Sequence, residues 1–469
     1  MYTLSEFKMK PVLLVNANLM KPLVGPLALD YLGATLWAQG IPFESLDLAL
    51  EKDPTSALGR ASSLYDPGLV ALTIRNTDDC YFATKHFLLP EQKEIVDLLK
   101  VAFDAPIVIG GAGYSIFPEE ALRFLEADMG IKGEGEWALP RLVHAMKTKD
   151  FHRVPGLVWR DKDKIFQNPP VTGDLREAKL SPRAWVDNAS YYRLGGMAGI
   201  ETCRGCSCLC AYCADPLSKG CDVRFRDLED VRQEAVSLLQ QGIEHVHLCD
   251  SECNLSVKHL DKLCLVFASL SSRLHWYAYA KPLPFSKEMA RNMARSGCVG
   301  INFGVDSLHD GILERLGRHH RKEDVIHAVS YAKEAGLRVM IDLLLGGPGE
   351  TTYSLIETLQ CAKAMKVDCV GLSIGIRIYP GTRLWKDLHE KDLIDATPGD
   401  FARLNPTFFK NPGLPEDLLG WIAEQIQEDE RFFLPVSDGM NGYNYDGNER
   451  LAKSIREGAR GAFWDILRG

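Results

Sequence analysis

The sequence predicts an α/β protein: an amino-terminal doubly wound parallel sheet, then a partial (β/α)6 barrel, then a small helical carboxyl-terminal region. Two observations carry this. Short apolar runs that read as buried strands alternate with stretches of helical period, first between residues 11 and 146 and again between residues 197 and 374. Between the two series the pattern breaks, and residues 151–195, with Pro155, Pro169, Pro170 and Pro182 and a hairpin-like Val158–Phe166, read as a linker.

In the first series Pro11–Val15, Leu69–Ile74, Pro106–Ile109 and Met129–Lys132 are the expected strands, and Ala28–Gln39 and Trp137–Met146 are expected helices. Strands separated by helices need crossover connections, which give a parallel, Rossmann-like sheet over residues 1–150. Ligands bind such sheets beyond the carboxyl ends of the strands, and those ends carry Asn16, Thr73, Asn76, Gly110, Gly111 and Gly113. Glycines there let the backbone approach a bulky ligand, because no Cβ intervenes.

The second series places strands at Met197–Glu201, Val246–Cys249, Leu274–Tyr279, Val299–Gly304, Arg338–Leu345 and Cys369–Ile374, with helices such as Asp227–Gln240 and Lys322–Ala335 between them. Repeated βα units predict a barrel over residues 196–398 with its site at the carboxyl ends of the strands. From residue 399 to 469 the chain turns helical and aromatic and reads as a cap or lid, with NYDGNERL (Asn444–Leu451) its most distinctive stretch.

Hydrophobic residues make up 46% and charged residues 25% of the 469, an ordinary globular balance without low-complexity tracts. The net charge of -9 gives no overall attraction for nucleic acid. No apolar run approaches the ~18 residues of a membrane span, and Met1–Lys10 is too polar for a secretory signal. A cytoplasmic protein is expected. Of 13 cysteines, five (Cys203, Cys206, Cys208, Cys210 and Cys213) crowd between positions 203 and 213, which in such a chain favours metal binding over disulfides.

The stretch TCRGCSCLCAYCADP (Thr202–Pro216) contains CxxxCxxC at Cys206, Cys210 and Cys213. Iron–sulfur clusters are usually held by four thiolates, so three leave one iron of a [4Fe-4S] cluster open to a chelating ligand. A zinc site and a different iron–sulfur ligand set are the alternatives these residues leave, although no second cysteine pair at zinc spacing stands nearby.

With Tyr212 before its last cysteine, the motif resembles that of the radical S-adenosylmethionine (SAM) superfamily. The resemblance implies that the open iron binds the amino and carboxylate groups of SAM and that an electron from the reduced cluster breaks the sulfonium bond. It extends to HLCDSECN (His247–Asn254), where Asp250 and Glu252 are candidates to hold the SAM ammonium. FGVDS (Phe303–Ser307) offers Asp306, where the family usually has glutamate, and Ser307 toward the ribose. LLLGGPGET (Leu343–Thr351) places Gly346, Gly347, Pro348 and Glu350 near the adenine, and GIRIYPGTRLW (Gly375–Trp385) brings Arg377 to the sixth strand end.

The first unit resembles the cobalamin-binding domain at the front of one radical SAM class, through PLVGPLALDY (Pro22–Tyr31), Thr73, GGAGYSIFPEEAL (Gly110–Leu122) and GEGE (Gly133–Glu136). It implies cobalamin contacts from Asn16, Thr73, Asn76, Gly110, Gly111, Gly113 and Glu134. The histidine motif DxHxxG of free-standing cobalamin domains is missing, so either the cobalt has no lower histidine ligand or the domain is vestigial. The expected function is a cobalamin-dependent methyltransferase that acts on an unactivated carbon of a small molecule, lipid or peptide, served by an electron donor such as flavodoxin or ferredoxin. Both strand-end surfaces should then face one cavity. The alternatives are rearrangement, cyclisation or oxidation without methyl transfer, or transfer of another SAM-derived group such as aminocarboxypropyl. Trp276, Tyr277 and Tyr279 read as barrel core with substrate contact as the alternative, and His319 and His320 as a solvated helix terminus.

Overall fold

A computed structural model describes residues 9–162, 164–179, 181–270, 273–391, 393–394, 404–434 and 448–468. Two seven-stranded sheets organise them. The first runs in the order Phe43–Asp47, Val12–Asn16, Leu69–Thr73, Ile107–Gly110, Met129–Ile131, Leu157–Asp161, Lys164–Gln167. Its first five strands are parallel. Every residue of Val12–Asn16 is buried, because helices cover both faces, and this is why the strand reads as an unbroken apolar run. Leu27–Ala38 and Gly135–Thr148 pack on one face; Pro54–Leu64, Leu89–Ala102 and Pro118–Leu125 pack on the other.

Two features depart from the sequence expectation. The edge strand Phe43–Asp47 buries only Leu46 fully, so FESLD carries no apolar run. Within the expected linker 151–195, the hairpin-like stretch Val158–Phe166 is indeed a hairpin, Leu157–Asp161 and Lys164–Gln167, but it is hydrogen-bonded to Met129–Ile131 and continues the sheet.

The second sheet is parallel throughout, in the order Phe432–Phe433, Cys369–Ile374, Arg338–Leu345, Cys298–Asp306, His275–Ala280, His245–Leu248, Ala198–Ile200. The six expected barrel strands are present, joined by a seventh from the region read as a cap. No hydrogen bonds join Ala198–Ile200 to Phe432–Phe433. The gap is filled by Glu449–Arg456 and Phe463–Arg468, whose Leu451, Ile455, Phe463 and Leu467 pack with Met197 and Phe433. Trp464 enters beside Gly300, where a Cβ would stand 2.8 Å from the indole, and Asp465 accepts from the Tyr277 hydroxyl at 2.7 Å. The described tail therefore packs into the open side of the barrel. Residues 444–447 of NYDGNERL lie outside the described residues; Asn448 caps the helix that follows.

A dry ion network joins the two halves. Arg183 donates to Asp30, Glu234 and Asn188, each at 2.8 Å, and Arg226 donates to Glu234 at 2.6 Å and to the Tyr31 hydroxyl at 2.8 Å. The side chains of Asp30, Arg183 and Glu234 are 2% exposed or less, so each charge depends on the others for compensation. Helix Leu27–Ala38 of the first half is thereby fixed against helix Leu228–Gln240 of the second.

Candidate active site

The carboxyl ends of the two sheets meet through one long connection. After Leu69–Thr73 the chain runs from Ile74 to Leu88 without a regular helix or strand, and loops of that length inside a domain are usually functional. Asp78 on this loop accepts two hydrogen bonds from the Arg377 guanidinium, at 3.0 and 2.8 Å, with both side chains buried. The Cys80 sulfur lies 3.2 Å from the Tyr379 hydroxyl, and the Phe82 ring lies so close to Gly375 that a Cβ there would come within 2.7 Å. A cavity of about 390 Å³ lies between loop and barrel, bordered by Arg75, Asn76, Gly113, Tyr212, Cys213 and Ser373. A second, of about 240 Å³, shares Arg75, Asn76, Cys80 and Ser373 and reaches Phe433 and Phe463 of the tail. The two halves therefore border one space, as expected.

At the first sheet's end, Asn16, Thr73, Gly110 and Ile131 stand in register. A mainly apolar cavity of about 240 Å³ opens between this row and helices Leu27–Ala38 and Gly135–Thr148, bordered by Thr73, Gly110, Gly111, Gly133 and Gly135. Gly111 has φ 111°, and a Cβ on it would sit 2.6 Å from the Ile74 carbonyl oxygen; on Gly113 it would sit 2.9 Å from that of Arg75. Without a Cβ the turn Gly110–Gly113 packs directly on the backbone of residues 74–76, which sets the rim of this cavity. Among the described residues, no histidine borders any of these three cavities.

Two expected contacts are engaged elsewhere. Asn16 is 1% exposed and donates to Asp47 at 2.9 Å and to the Tyr191 hydroxyl at 2.7 Å. Glu134 accepts from the Gly173 amide at 2.9 Å and pairs with Arg224 at 2.6 Å and Arg204 at 3.5 Å. It pins the first half to the short ribbon Cys203–Arg204 and Arg224–Phe225 that leads into the cysteines.

The cysteine loop is held from several sides. The Cys206 amide donates to the Gly220 carbonyl at 3.0 Å, the Ala211 amide to Leu316 at 2.8 Å, and Leu384 donates to the Ala211 carbonyl at 2.7 Å. Burial raises the Cys210 thiol and pushes Cys213 up to about 12; Cys206 is raised by its hydrogen bond to Cys208, then by burial. A metal centre bound here would have to displace these protons to gain thiolate ligands. Among the described residues no three His, Cys, Asp or Glu side chains converge as a single ion would require. A cubane, whose thiolates bind separate irons, needs no such convergence.

Around this loop the charged residues divide. Asp306 has φ 65° and follows a register slip after Gly304, which turns its carboxylate toward the cysteines. It accepts from the Tyr212 hydroxyl at 2.7 Å and pairs with Arg318 at 3.3 Å, and Arg318 donates to the Cys210 sulfur at 3.2 Å. Ser307 is fully buried against Thr358, away from the mouth. Asp250, raised to about 6 by burial, accepts from the Thr202 amide and hydroxyl and from the Cys203 amide, bracing the segment before the motif. Glu350 accepts from the Gly346 and Gly347 amides and shapes the turn around the half-buried Pro348; burial raises it to about 7. Arg377, taken up by Asp78, clasps the loop over the barrel.

Glu252 differs. Its Oε2 is buried without a hydrogen-bond partner, and burial raises it to about 8 against the pull of Arg318. Arg75, which the sequence reading passed over between Thr73 and Asn76, is open to the cavity yet surrounded by protein, and burial lowers it. Its strongest charge neighbours are Cys249 and Tyr279 rather than a carboxylate. No local pattern marks it, because its surroundings come from the other half of the chain. Tyr279 is half-buried with its ring centre 5.3 Å from that of His247, whereas Trp276 and Tyr277 are core. His319 is exposed, but His320 is 5% exposed with a ring nitrogen 3.1 Å from the Val305 carbonyl, so it is not a solvated terminus.

Comparison with known proteins agrees with this geometry. The Radical SAM superfamily profile matches residues 200–362. The tryptophan 2-C-methyltransferase of Streptomyces laurentii is 27% identical, over 97% of this chain and 95% of that protein. The structure of the radical SAM methyltransferase TsrM from Kitasatospora setae with tryptophan and a SAM analogue superposes with a TM-score of 0.89 at 30% identity, covering 98% of both chains. The same enzyme with cobalamin and a [4Fe-4S] cluster gives 0.88 at 28%, over 98% of this chain and 97% of that one. The present chain belongs to the radical SAM superfamily, in the class of cobalamin-dependent methyltransferases that includes TsrM.

Proposed function

We propose that this enzyme transfers a methyl group from SAM to a carbon of tryptophan or a closely related small aromatic molecule. The observation that carries the reading is the space between the halves, bordered by Gly113 and the loop residues Arg75, Asn76 and Cys80 on one side and by Tyr212, Cys213 and Ser373 on the other. Its size suits a small molecule better than a lipid or peptide. The solved relative holds tryptophan, and two-way coverage near completeness makes a similar substrate the first to try.

In this reading Cys206, Cys210 and Cys213 hold the cluster, and Thr73, Asn76, Gly110, Gly111 and Gly113 line the corrinoid's seat. Bound cobalamin would supply a carrier for the methyl group between SAM and the acceptor carbon. The chain's own residues position and enclose. Glu252 offers an unpartnered carboxylate to a cationic group of the cofactors, such as the SAM ammonium. Asp250 and the turn around Gly346, Gly347 and Pro348 fix the strand ends from behind, and the Asp78–Arg377 clasp shuts the loop and keeps water out. Leu209, 61% exposed between Cys208 and Cys210, gives an electron donor such as flavodoxin or ferredoxin its nearest approach. All thirteen cysteines are free, which suits the reducing cytoplasm.

The test is anaerobic reconstitution with iron, sulfide and cobalamin, then incubation with SAM and tryptophan under reducing conditions and mass spectrometry of the products. Methylated tryptophan with S-adenosylhomocysteine is expected. Methylthioadenosine, or deoxyadenosine without a methylated product, would overturn the reading.

A further inference from the structure

We infer that Arg318 is a redox-tuning residue, which holds the reduction potential of the cluster up through its hydrogen bond to Cys210, and that Asp306 opposes it. The inference rests on the assignment of Cys206, Cys210 and Cys213 as cluster ligands. Arg318 lies just beyond the helix Asp310–Arg315, with its side chain 8% exposed. All three nitrogens of its fork are engaged: Nη1 donates to the Cys210 sulfur at 3.2 Å, Nη2 to the Gly304 carbonyl, and Nε faces Asp306 at 3.3 Å. The guanidinium is thus aimed at one particular cysteine, and its aim is fixed by the strand that carries Gly304 and Asp306.

A guanidinium does not deprotonate in proteins, so the charge beside Cys210 is permanent. Reduction adds one negative charge to a cluster already surrounded by thiolates. A fixed cation a few ångströms away in poorly solvated surroundings stabilises the reduced form more than the oxidised one. Hydrogen bonds to the sulfurs and nearby charge are among the levers that set such potentials. Asp306 carries the opposite charge beside the same guanidinium, and the Tyr212 hydroxyl at 2.7 Å holds it there. Arg318 and Asp306 therefore act on the cluster with opposite signs, although loss of either would disturb the same network.

That opposition separates tuning from simple support. The experiment is a redox titration of the reconstituted full chain without SAM, with dithionite as reductant and the reduced-cluster electron paramagnetic resonance signal as readout. Iron and sulfide are quantified for every sample. Relative to wild type, Arg318→Gln is expected to lower the midpoint by a factor of ten or more in the one-electron reduction equilibrium, about 59 mV per tenfold. Asp306→Asn is expected to raise it, and Arg318→Lys, which keeps the charge without the fork, should fall between wild type and Arg318→Gln. If Arg318→Gln fails to hold a cluster, the sign of the Asp306→Asn shift and the position of Arg318→Lys decide. Shifts in the same direction for Arg318 and Asp306 variants, or none, would overturn the inference while leaving the cluster assignment intact. A wild-type protein that takes up no iron would overturn that assignment and the inference with it.

Discussion

The ends of the two sheets face the same space but are built from different chemistry. The first is walled mostly by glycine and apolar side chains, and the acids that border it, Glu134, Glu136 and Glu201, are all held by Arg204. The second is crowded with Asp250, Glu252, Asp306, Arg318 and Arg377, of which all but Glu252 are firmly paired or hydrogen-bonded. A broad ligand with few charges is held by shape, so its seat must be open backbone. A small ligand with charged ends is held by charge, so its seat needs carboxylates and guanidiniums whose own orientation is guarded.

The largest expected effect attacks the shape side. Gly111→Val adds a branched side chain where even a Cβ would meet the Ile74 carbonyl, at a backbone angle that valine avoids. It should abolish cobalamin uptake, read from visible absorbance after reconstitution, while iron and sulfide content stays at the wild-type level. Retained cobalamin would break the contrast. On the charge side, Arg377→Ala leaves Asp78 buried and unpaired and should destabilise the protein by about 3–5 kcal/mol in thermal or denaturant unfolding. Pairing it with Asp78→Asn should recover much of that loss.

Next comes Glu252→Gln, expected to weaken SAM binding about 10- to 100-fold in calorimetry of the reconstituted protein, the range for losing a charged hydrogen-bond partner. Because the carboxyl is raised to about 8, it is neutral at lower pH. Wild-type affinity should therefore climb as pH rises through that value, and the variant should show no such climb. The smallest effect concerns Glu350, raised from 4.5 to about 7 by burial. Its folded form binds the proton more tightly than the unfolded form, so its contribution to stability declines as pH rises from 4.5 to about 7 and levels off above. Glu350→Gln should flatten that part of the stability profile.

Much of the fold was legible because buried parallel strands advertise themselves. The apolar runs at Val12–Asn16, Leu69–Thr73 and Arg338–Leu345 have few alternative interpretations. Phe43–Asp47 was not, since an edge strand half in water has mixed composition, and Phe432–Phe433 is too short to show a period. The cysteines were legible through spacing alone. The charges were harder. Asp306, Arg377 and Glu134 sit in recognisable motifs, but their partners Tyr212, Asp78 and Arg224 lie far away along the chain, so motif membership gave the neighbourhood and not the bond. Arg75 belongs to no motif at all.

The loop from Ile74 to Leu88 has a consequence for how such an enzyme diversifies. It borders the cavity with Arg75, Asn76 and Cys80 and is tied to the barrel chiefly by side chains, while the strands and helices on either side keep their own cores. Insertions and substitutions in that one segment could exchange the acceptor molecule while the cysteine loop and the glycine wall stay as they are. Selection could thus try new acceptors without rebuilding either cofactor seat.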